Sequence, residues 1–376
     1  MPPARARFRE TAGSLVPTGI VDSGSWKRAK EAPETLADGR YTLLERIGQG
    51  AAGTVYRARD NGGMGHRIVC IKRLSGSLAP HHARALREEA RLLMSVRHAN
   101  VVSLFAVGEE MDLPFLVLEL IDGLDLRALC RALAGVPGQH APSSARSWSG
   151  QLPDLIAVHV ACAVLRALAA VQRAIPGLVH RDVTPHNILV SDEGEIKLAD
   201  FGIALATDRG SLVRPRAIKG KYGYMAPEQI RGEPLDVRTD LFAVGVLLYE
   251  LLAKVRPCGP MQGMDELCAT ERGDLLPLTL HRPRLDRGLL VCVARLLALR
   301  REDRFACADD ALRALAPFSA GEMGSLRLAA LVRRARRGDT DSAPEIDQTS
   351  PARTSSSETS AATRTSPVPD RADDDD

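Results

Sequence analysis

Aromatic side chains occupy only 4% of the 376 positions, so a core has to be built from aliphatic residues, chiefly Leu, Val and Ala. Disulfide chemistry is equally scarce. The seven cysteines stand apart at Cys70, Cys130, Cys162, Cys258, Cys268, Cys292 and Cys307. An odd number with no close pair speaks against a disulfide frame or a zinc site and fits reduced thiols in a cytoplasmic compartment. No charge sign dominates. Fifty Lys and Arg stand against 47 Asp and Glu, a formal net charge of +3, too small to draw the whole molecule to nucleic acid, and no nucleic-acid partner is expected. A secretory signal is not expected either, because no apolar run follows Arg5, Arg7 and Arg9. The longest apolar stretch, residues 155–171, is broken by His159 and Arg166 and is short for a bilayer. It reads as a buried helix, and no transmembrane segment is expected. What is present, 45% hydrophobic and 26% charged residues, is the composition of a soluble globular chain.

Residues 1–38 mix Arg, Pro, Gly, Ser and Thr without a period and read as disordered. Strand patterns follow from Tyr41, at 53–58, 67–73, 101–107 and 114–120, with one helical pattern at 81–97 whose Leu86, Ala90 and Leu93 share a stripe. Together they predict a small sheet with one helix over 39–121. Beyond Asp122-Gly123 the patterns become helical, at 154–174, 236–252, 288–299 and 308–315. A Gly-, Pro- and Ser-rich insertion at about 135–153 interrupts them. Residues 188–190 and 196–198 flank a turn at Asp192-Glu193-Gly194 and read as a hairpin. After Phe318 comes a basic amphipathic segment, 319–337, read as a helix with a solvated basic face. Residues 338–376, rich in Ser, Thr and acid, read as a disordered tail.

Four groups of residues carry chemistry. Gly48-Gln49-Gly50-Ala51-Ala52-Gly53-Thr54-Val55 is a glycine-rich turn between strands, where backbone can approach phosphate oxygens closely. Alone it reads as a flexible hairpin. A dinucleotide fold is disfavoured, because strand rather than helix follows the glycines. Lys72 shares a strand face with Ile68 and Cys70. It either snorkels to water or meets an anion, and Glu89 on the apolar stripe of the following helix supplies one, since a buried lone carboxylate is costly. The run His180-Arg181-Asp182-Val183-Thr184-Pro185-His186-Asn187 sets a carboxylate before a carboxamide, and Asp200-Phe201-Gly202 follows. Two acids and an amide at one mouth can hold divalent metal against phosphate and orient a hydroxyl. Asp182 alone reads as an ordinary turn former.

In their order and spacing these motifs resemble the bacterial eukaryotic-like serine/threonine protein kinase family over residues 41–318. Ala226-Pro227-Glu228, Asp240 and Arg304, the partner of that glutamate, add to the match. The resemblance implies an α+β, bilobal protein-kinase fold, with an N-lobe (39–121) of antiparallel sheet plus one helix and a mainly helical C-lobe (122–318). It implies ATP and Mg²⁺ as cofactors and Ser or Thr of proteins as acceptors, with autophosphorylation and a signalling role. Asp182 would orient the acceptor hydroxyl and take its proton. Asn187 and Asp200 would hold Mg²⁺, while Lys72 and Glu89 would set the phosphates. Gly48, Gln49, Gly50 and Gly53 would cover the nucleotide, and Val55, Cys70 and Leu189 would enclose adenine. Leu118 is the gatekeeper, Glu119 to Ile121 the hinge, and Asp125 falls at the ribose.

Thr184 departs from the pattern, for the family carries Lys there and Thr at the position of Lys221. The exchange implies that Lys221 supplies the cation from the other side with Thr184 as its partner. The opposing reading is a surface Lys and a weakened enzyme. Arg181 marks control through the activation segment, where phosphate on Thr207 or Ser211 would pair with it. Two alternatives stand beside a catalyst. A pseudokinase scaffold would bind ATP without transfer, and an antibiotic-type kinase would lack the Ala-Pro-Glu segment that is present here. Nothing in the sequence sets an oligomeric state.

Overall fold

A computed structural model describes residues 34–50, 53–62, 66–74, 90–91, 93–111, 113–134, 152–201, 222–261 and 263–337. The readings of residues 1–33, most of the insertion, most of the 81–97 helix and the 338–376 tail lie outside the described residues.

The N-lobe is one antiparallel sheet of six strands: β1 (Thr35–Leu36), β2 (Tyr41–Gly50), β3 (Gly53–Asp60), β4 (Arg67–Leu74), β5 (Leu104–Glu110) and β6 (Leu113–Leu118), in the order β1-β2-β3-β4-β6-β5. Alternation along β4 decides what each face does. Val69 and Ile71 point into a cluster with Leu36, Tyr41, Leu43, Ala58, Phe115 and Val117, each large side chain contributing about 1.5–3 kcal/mol by leaving water. Cys70 and Lys72 take the opposite face, opposite Leu118 and Leu116 of β6. Leu116 packs there with Ala90 and Leu93 and joins the core of the C-lobe. Order therefore begins earlier than the composition predicts. Leu36, assigned to a disordered segment, is buried in the sheet, because a strand of two residues is too short to show a period.

The C-lobe opens with β7 (Gly123–Asp125) and α1 (Leu126–Leu133), followed by α2 (Asp154–Ala174). The bounds of α2 match the predicted helix. It has the length and hydropathy of a membrane span, yet 78% of its most apolar window is buried within the protein. β8 (Ile188–Ser191) and β9 (Ile196–Leu198) form the predicted hairpin and pair with β7 in a second sheet. A short helix α3 (Pro227–Ile230) precedes the buried α4 (Arg238–Ala253). Then come α5 (Met264–Arg272), α6 (Arg287–Leu296), α7 (Ala308–Leu315) and α8 (Met323–Arg337).

The basic segment is not set apart from the domain. α8 buries Gly324, Leu328, Ala329 and Val332 and packs on α1, α2 and β8. Gly194, at φ +83° in the β8–β9 turn, lies so close that a Cβ there would stand 1.9 Å from the Ser325 carbonyl oxygen. Arg336 pairs with Asp192 of the same turn. The helical period hides this because the apolar stripe is narrow and the arginines dominate the composition.

Candidate active site

The cleft between the lobes is built from strand ends. β2 and β3 close on each other through the Gly50–Gly53 pair, with register shifts at Leu43/Glu45 and Arg46/Gly48; such bulges bend a strand and increase its twist. Gly53 has φ +147°, and a Cβ would fall 1.9 Å from the Arg73 carbonyl oxygen, so no other residue fits the end of this hairpin. Ala51 and Ala52 lie outside the described residues. Val55 is in register with Lys72 and Cys70 with Leu118, and Leu189 sits on β8 below. All are half-buried, an apolar pair of walls for a flat ligand. Burial pushes the Cys70 thiol up to about 12, with Asp200 adding to the effect and Lys72 opposing it, so it is uncharged.

At the hinge, the Glu119 side chain turns away from the walls. It pairs with Lys197 at 3.0 Å and accepts from the Ser103 amide at 3.1 Å. The Glu119 amide itself donates to Ser103 O at 2.9 Å, which leaves its carbonyl and the Ile121 backbone as the hinge groups for a ligand.

Asp125 has a structural duty. Its side chain is 1% exposed and caps α1, accepting from the Ala128 amide at 2.8 Å. An N-cap acid satisfies an orphan helix N–H, a structural duty beside the ribose contact the resemblance implies. His186 Nδ1 stands 4.0 Å from it.

The catalytic loop is held by buried acceptors. Asp240, on α4, accepts from the His180 amide at 2.8 Å and the Arg181 amide at 2.9 Å. Burial pushes the Asp240 carboxyl up, opposed by His180 and by these amides. The His180 ring accepts at Nδ1 from the Asp182 amide at 3.3 Å. Its Nε2 lies 3.0 Å from Ala199 O. Arg181 then turns through φ +67°, a left-handed conformation that costs a side-chain-bearing residue roughly 1–2 kcal/mol. Asp200 does the same at φ +57°. These two strained turns present Asp182 and Asp200 toward the cleft.

The Asn187 side-chain amide donates to the Asp182 carbonyl and to its Oδ2, each at 2.8 Å, and the Asn187 main-chain carbonyl accepts from the Ala199 amide at 2.8 Å. Lys72 Nζ meets Asp200 Oδ1 at 2.8 Å. The structure thus brings together Lys72, Asp182, Asn187 and Asp200. Lys72 pairs with Asp200 here, whereas Glu89, its predicted partner, lies outside the described residues. So do Gly202, Thr207, Ser211 and Lys221. Thr184 is 2% exposed, and its hydroxyl has no hydrogen-bond partner among the described residues.

Behind the loop, Glu228 and Arg304 form the predicted pair at 2.7 and 2.9 Å, both fully buried, with Thr239 donating to Glu228 at 2.9 Å. Burial raises the Glu228 carboxyl, but the Arg304 hydrogen bonds and charge outweigh it and leave it below its usual value. Thr239 and Gln229 escaped the sequence reading. Gln229 had a signal, for a Gln three residues after a helix N-cap reaches back to the N-cap amide. It does so here, accepting from Ala226 N at 3.0 Å.

A sheet lobe and a helical lobe closing on a lysine, two acids and an amide define the architecture of a two-lobed phosphotransferase. Residues 41–309 match the protein kinase domain family, and the chain belongs to it. It is 33% identical over 287 residues to tyrosine-protein kinase MasK of Myxococcus xanthus, covering 74% of this chain and 43% of that protein. Similarity to serine/threonine-protein kinase PknL of Mycobacterium tuberculosis is 38% over 240 residues, covering 63% and 54%. With serine/threonine-protein kinase PrkC of Bacillus subtilis it is 33% over 216 residues, covering 57% and 30%. The chain therefore spans between 30% and 54% of the length of these curated relatives. The crystal structure of the Mycobacterium tuberculosis PknI kinase domain superposes with a TM-score of 0.56 at 25% identity, covering 77% of this chain and all of that one, 100%.

Proposed function

We propose that this chain transfers the γ-phosphate of Mg-ATP to Ser or Thr hydroxyls of protein substrates, and to itself, as a cytoplasmic signalling enzyme. The observation that carries the proposal is the convergence of Lys72 and Asp200 with the Asp182–Asn187 pair, groups drawn from both lobes. Phosphoryl transfer needs positioned charge rather than covalent chemistry, and these residues supply it. Asp182 orients the acceptor hydroxyl and takes its proton, while Lys72 holds the nucleotide phosphates. Asn187 and Asp200 fit Mg²⁺: the Asn187 amide nitrogen is committed to Asp182, which keeps its carbonyl oxygen as a hard donor beside a carboxylate. Bound there, the metal neutralises phosphate charge. Serine/threonine acceptors fit Thr184-Pro185 and the names of PknL and PrkC.

Thr184 and Lys221 form the second part of the proposal. A buried hydroxyl without a partner among the described residues is costly, and Lys221 is the cation proposed to meet it, replacing the family's lysine. Control through Arg181 and phosphate on Thr207 or Ser211 completes the reading, and seven unpaired thiols support a reducing compartment.

The test is radiolabelled ATP with Mg²⁺, given to wild type and Asp182→Ala, with the protein itself and a generic basic protein as acceptors. Label on Ser or Thr in wild type alone is the expected result. ATP binding without transfer would establish a pseudokinase, and label on Tyr alone would overturn the acceptor class. Lys221→Ala turning over at the wild-type rate would end the exchange idea.

A further inference from the structure

We propose that Gln229 is a positioning residue for the transfer reaction, fixing the peptide plane between Arg181 and Asp182 so that the aim of the catalytic carboxylate depends on α3, the short helix that begins at Pro227. The proposal rests on the kinase reading above and assigns a role to a residue that the catalytic motifs leave out.

The Arg181–Asp182 peptide is one rigid plane. Its orientation is set by ψ of Arg181 and φ of Asp182, and it carries the Asp182 side chain with it. Arg181 is left-handed, at φ +67°, so local preference does not hold the plane where it lies. Hydrogen bonds do. The Arg181 amide, on the preceding plane, donates to Asp240 at 2.9 Å. On the plane in question, the Asp182 amide reaches His180 Nδ1 at a long 3.3 Å. The opposite edge of that plane, the Arg181 carbonyl, accepts from Gln229 Nε2 at 3.2 Å. The first two anchors belong to the loop and to α4. Gln229 is different, for it lies on α3, directly after Pro227-Glu228.

That helix is itself immobilised. Glu228 is locked by Arg304 at 2.7 Å, and Gln229 Oε1 is fixed by the Ala226 amide at 3.0 Å. One end of the Gln229 amide therefore reads whether residues 226–230 are folded, while the other end holds the plane that aims Asp182. Displacing α3 withdraws the donor and frees the plane, with the phosphate site untouched.

A purely structural role would need only the acceptor end, as a helix cap. The two ends separate by substitution. Gln229→Glu keeps an acceptor for Ala226 N, in a charge state favoured at a helix N-terminus, and loses the donor to Arg181. Gln229→Met loses both at similar length. Both variants are expected to lower kcat about tenfold or more, with KM for ATP within about twofold. In the absence of nucleotide, backbone amide exchange over residues 178–187 is expected to accelerate in both. If Gln229→Glu keeps wild-type kcat and wild-type loop exchange while Gln229→Met does not, the residue is a cap and the proposal is overturned. Loss of activity in step with a fall in Tm and a rise in KM for ATP overturns it equally. The exchange measurement needs no turnover, so a wild type without kinase activity would refute the kinase reading and leave the loop result legible.

Discussion

Lys72 Nζ lies 2.8 Å from Asp200 Oδ1, joining the N-lobe sheet to the segment after β9. The pair stands where phosphates and metal are proposed to bind, so the two charges compensate each other until a nucleotide takes over both. Lys72→Met is expected to reduce kcat by about 10²–10³-fold, the scale of losing one preorganised charge at a reacting centre. Steady-state transfer to a peptide measures it, and turnover within about threefold of wild type would remove Lys72 from the phosphate site.

Among the described residues Arg304 is the largest fully buried side chain, and its charge is met by Glu228 on a segment 76 residues away. Truncating one member strands the other without water or partner. Arg304→Ala is expected to cost about 3–5 kcal/mol in urea unfolding, whereas the double change Glu228→Leu with Arg304→Met recovers most of it. A loss below about 1 kcal/mol for the single change would mean the pair is dispensable, as surface pairs are.

The same pair sets an acid limit. Glu228 is held below the ordinary carboxylate value of 4.5 in the folded protein. A group with a depressed folded pKa contributes stability that is complete above its unfolded pKa and is lost as pH falls through its folded one. Unfolding free energy is therefore expected to drop as pH is lowered below about 4.5, and Glu228→Gln, destabilised at neutral pH, should show a shallower drop. Equal slopes for the two proteins would assign the acid sensitivity elsewhere.

Much of the site was readable because kinase chemistry is written locally. Asp182 and Asn187 lie five apart in one loop, Asp200 closes the hairpin that follows, and the resemblance supplied their roles. The sheet faces were readable too, since β4 alternates Val69 and Ile71 against Cys70 and Lys72. What escaped depends on partners distant in sequence. Leu36 has no period of its own and is placed by the sheet. α8 showed its arginines, but Leu328 and Val332 needed a surface to pack on, and Gly194 looked like an ordinary turn glycine until Ser325 was found against it. Asp125 was read by position alone, and position did not reveal that a helix begins at Leu126 and needs a cap.

α8 follows the residues matched to the family, 41–309, yet it is built into the C-lobe core through Leu328 and Val332, each 0% exposed. Leu328→Ala is expected to destabilise the domain by about 2–5 kcal/mol, seen as a lower denaturation midpoint with an unchanged slope. Arg333→Ala, on the outer side of the same helix, should shift the midpoint by no more than about 0.5 kcal/mol. If both changes are silent, α8 is an appendage and the domain ends before it.

Asp125 offers a choice between two duties with opposite signatures. As the cap of α1, its loss in Asp125→Ala removes the acceptor of the Ala128 amide and costs about 0.5–2 kcal/mol of stability. If the cap is its whole duty, KM for ATP stays within about twofold. A ribose contact would do the reverse, raising KM for ATP about tenfold or more through a lost charge-assisted hydrogen bond while leaving the unfolding midpoint in place. Measuring KM and the urea midpoint on the same preparation separates the two, and the buried geometry of Asp125 requires the midpoint to move.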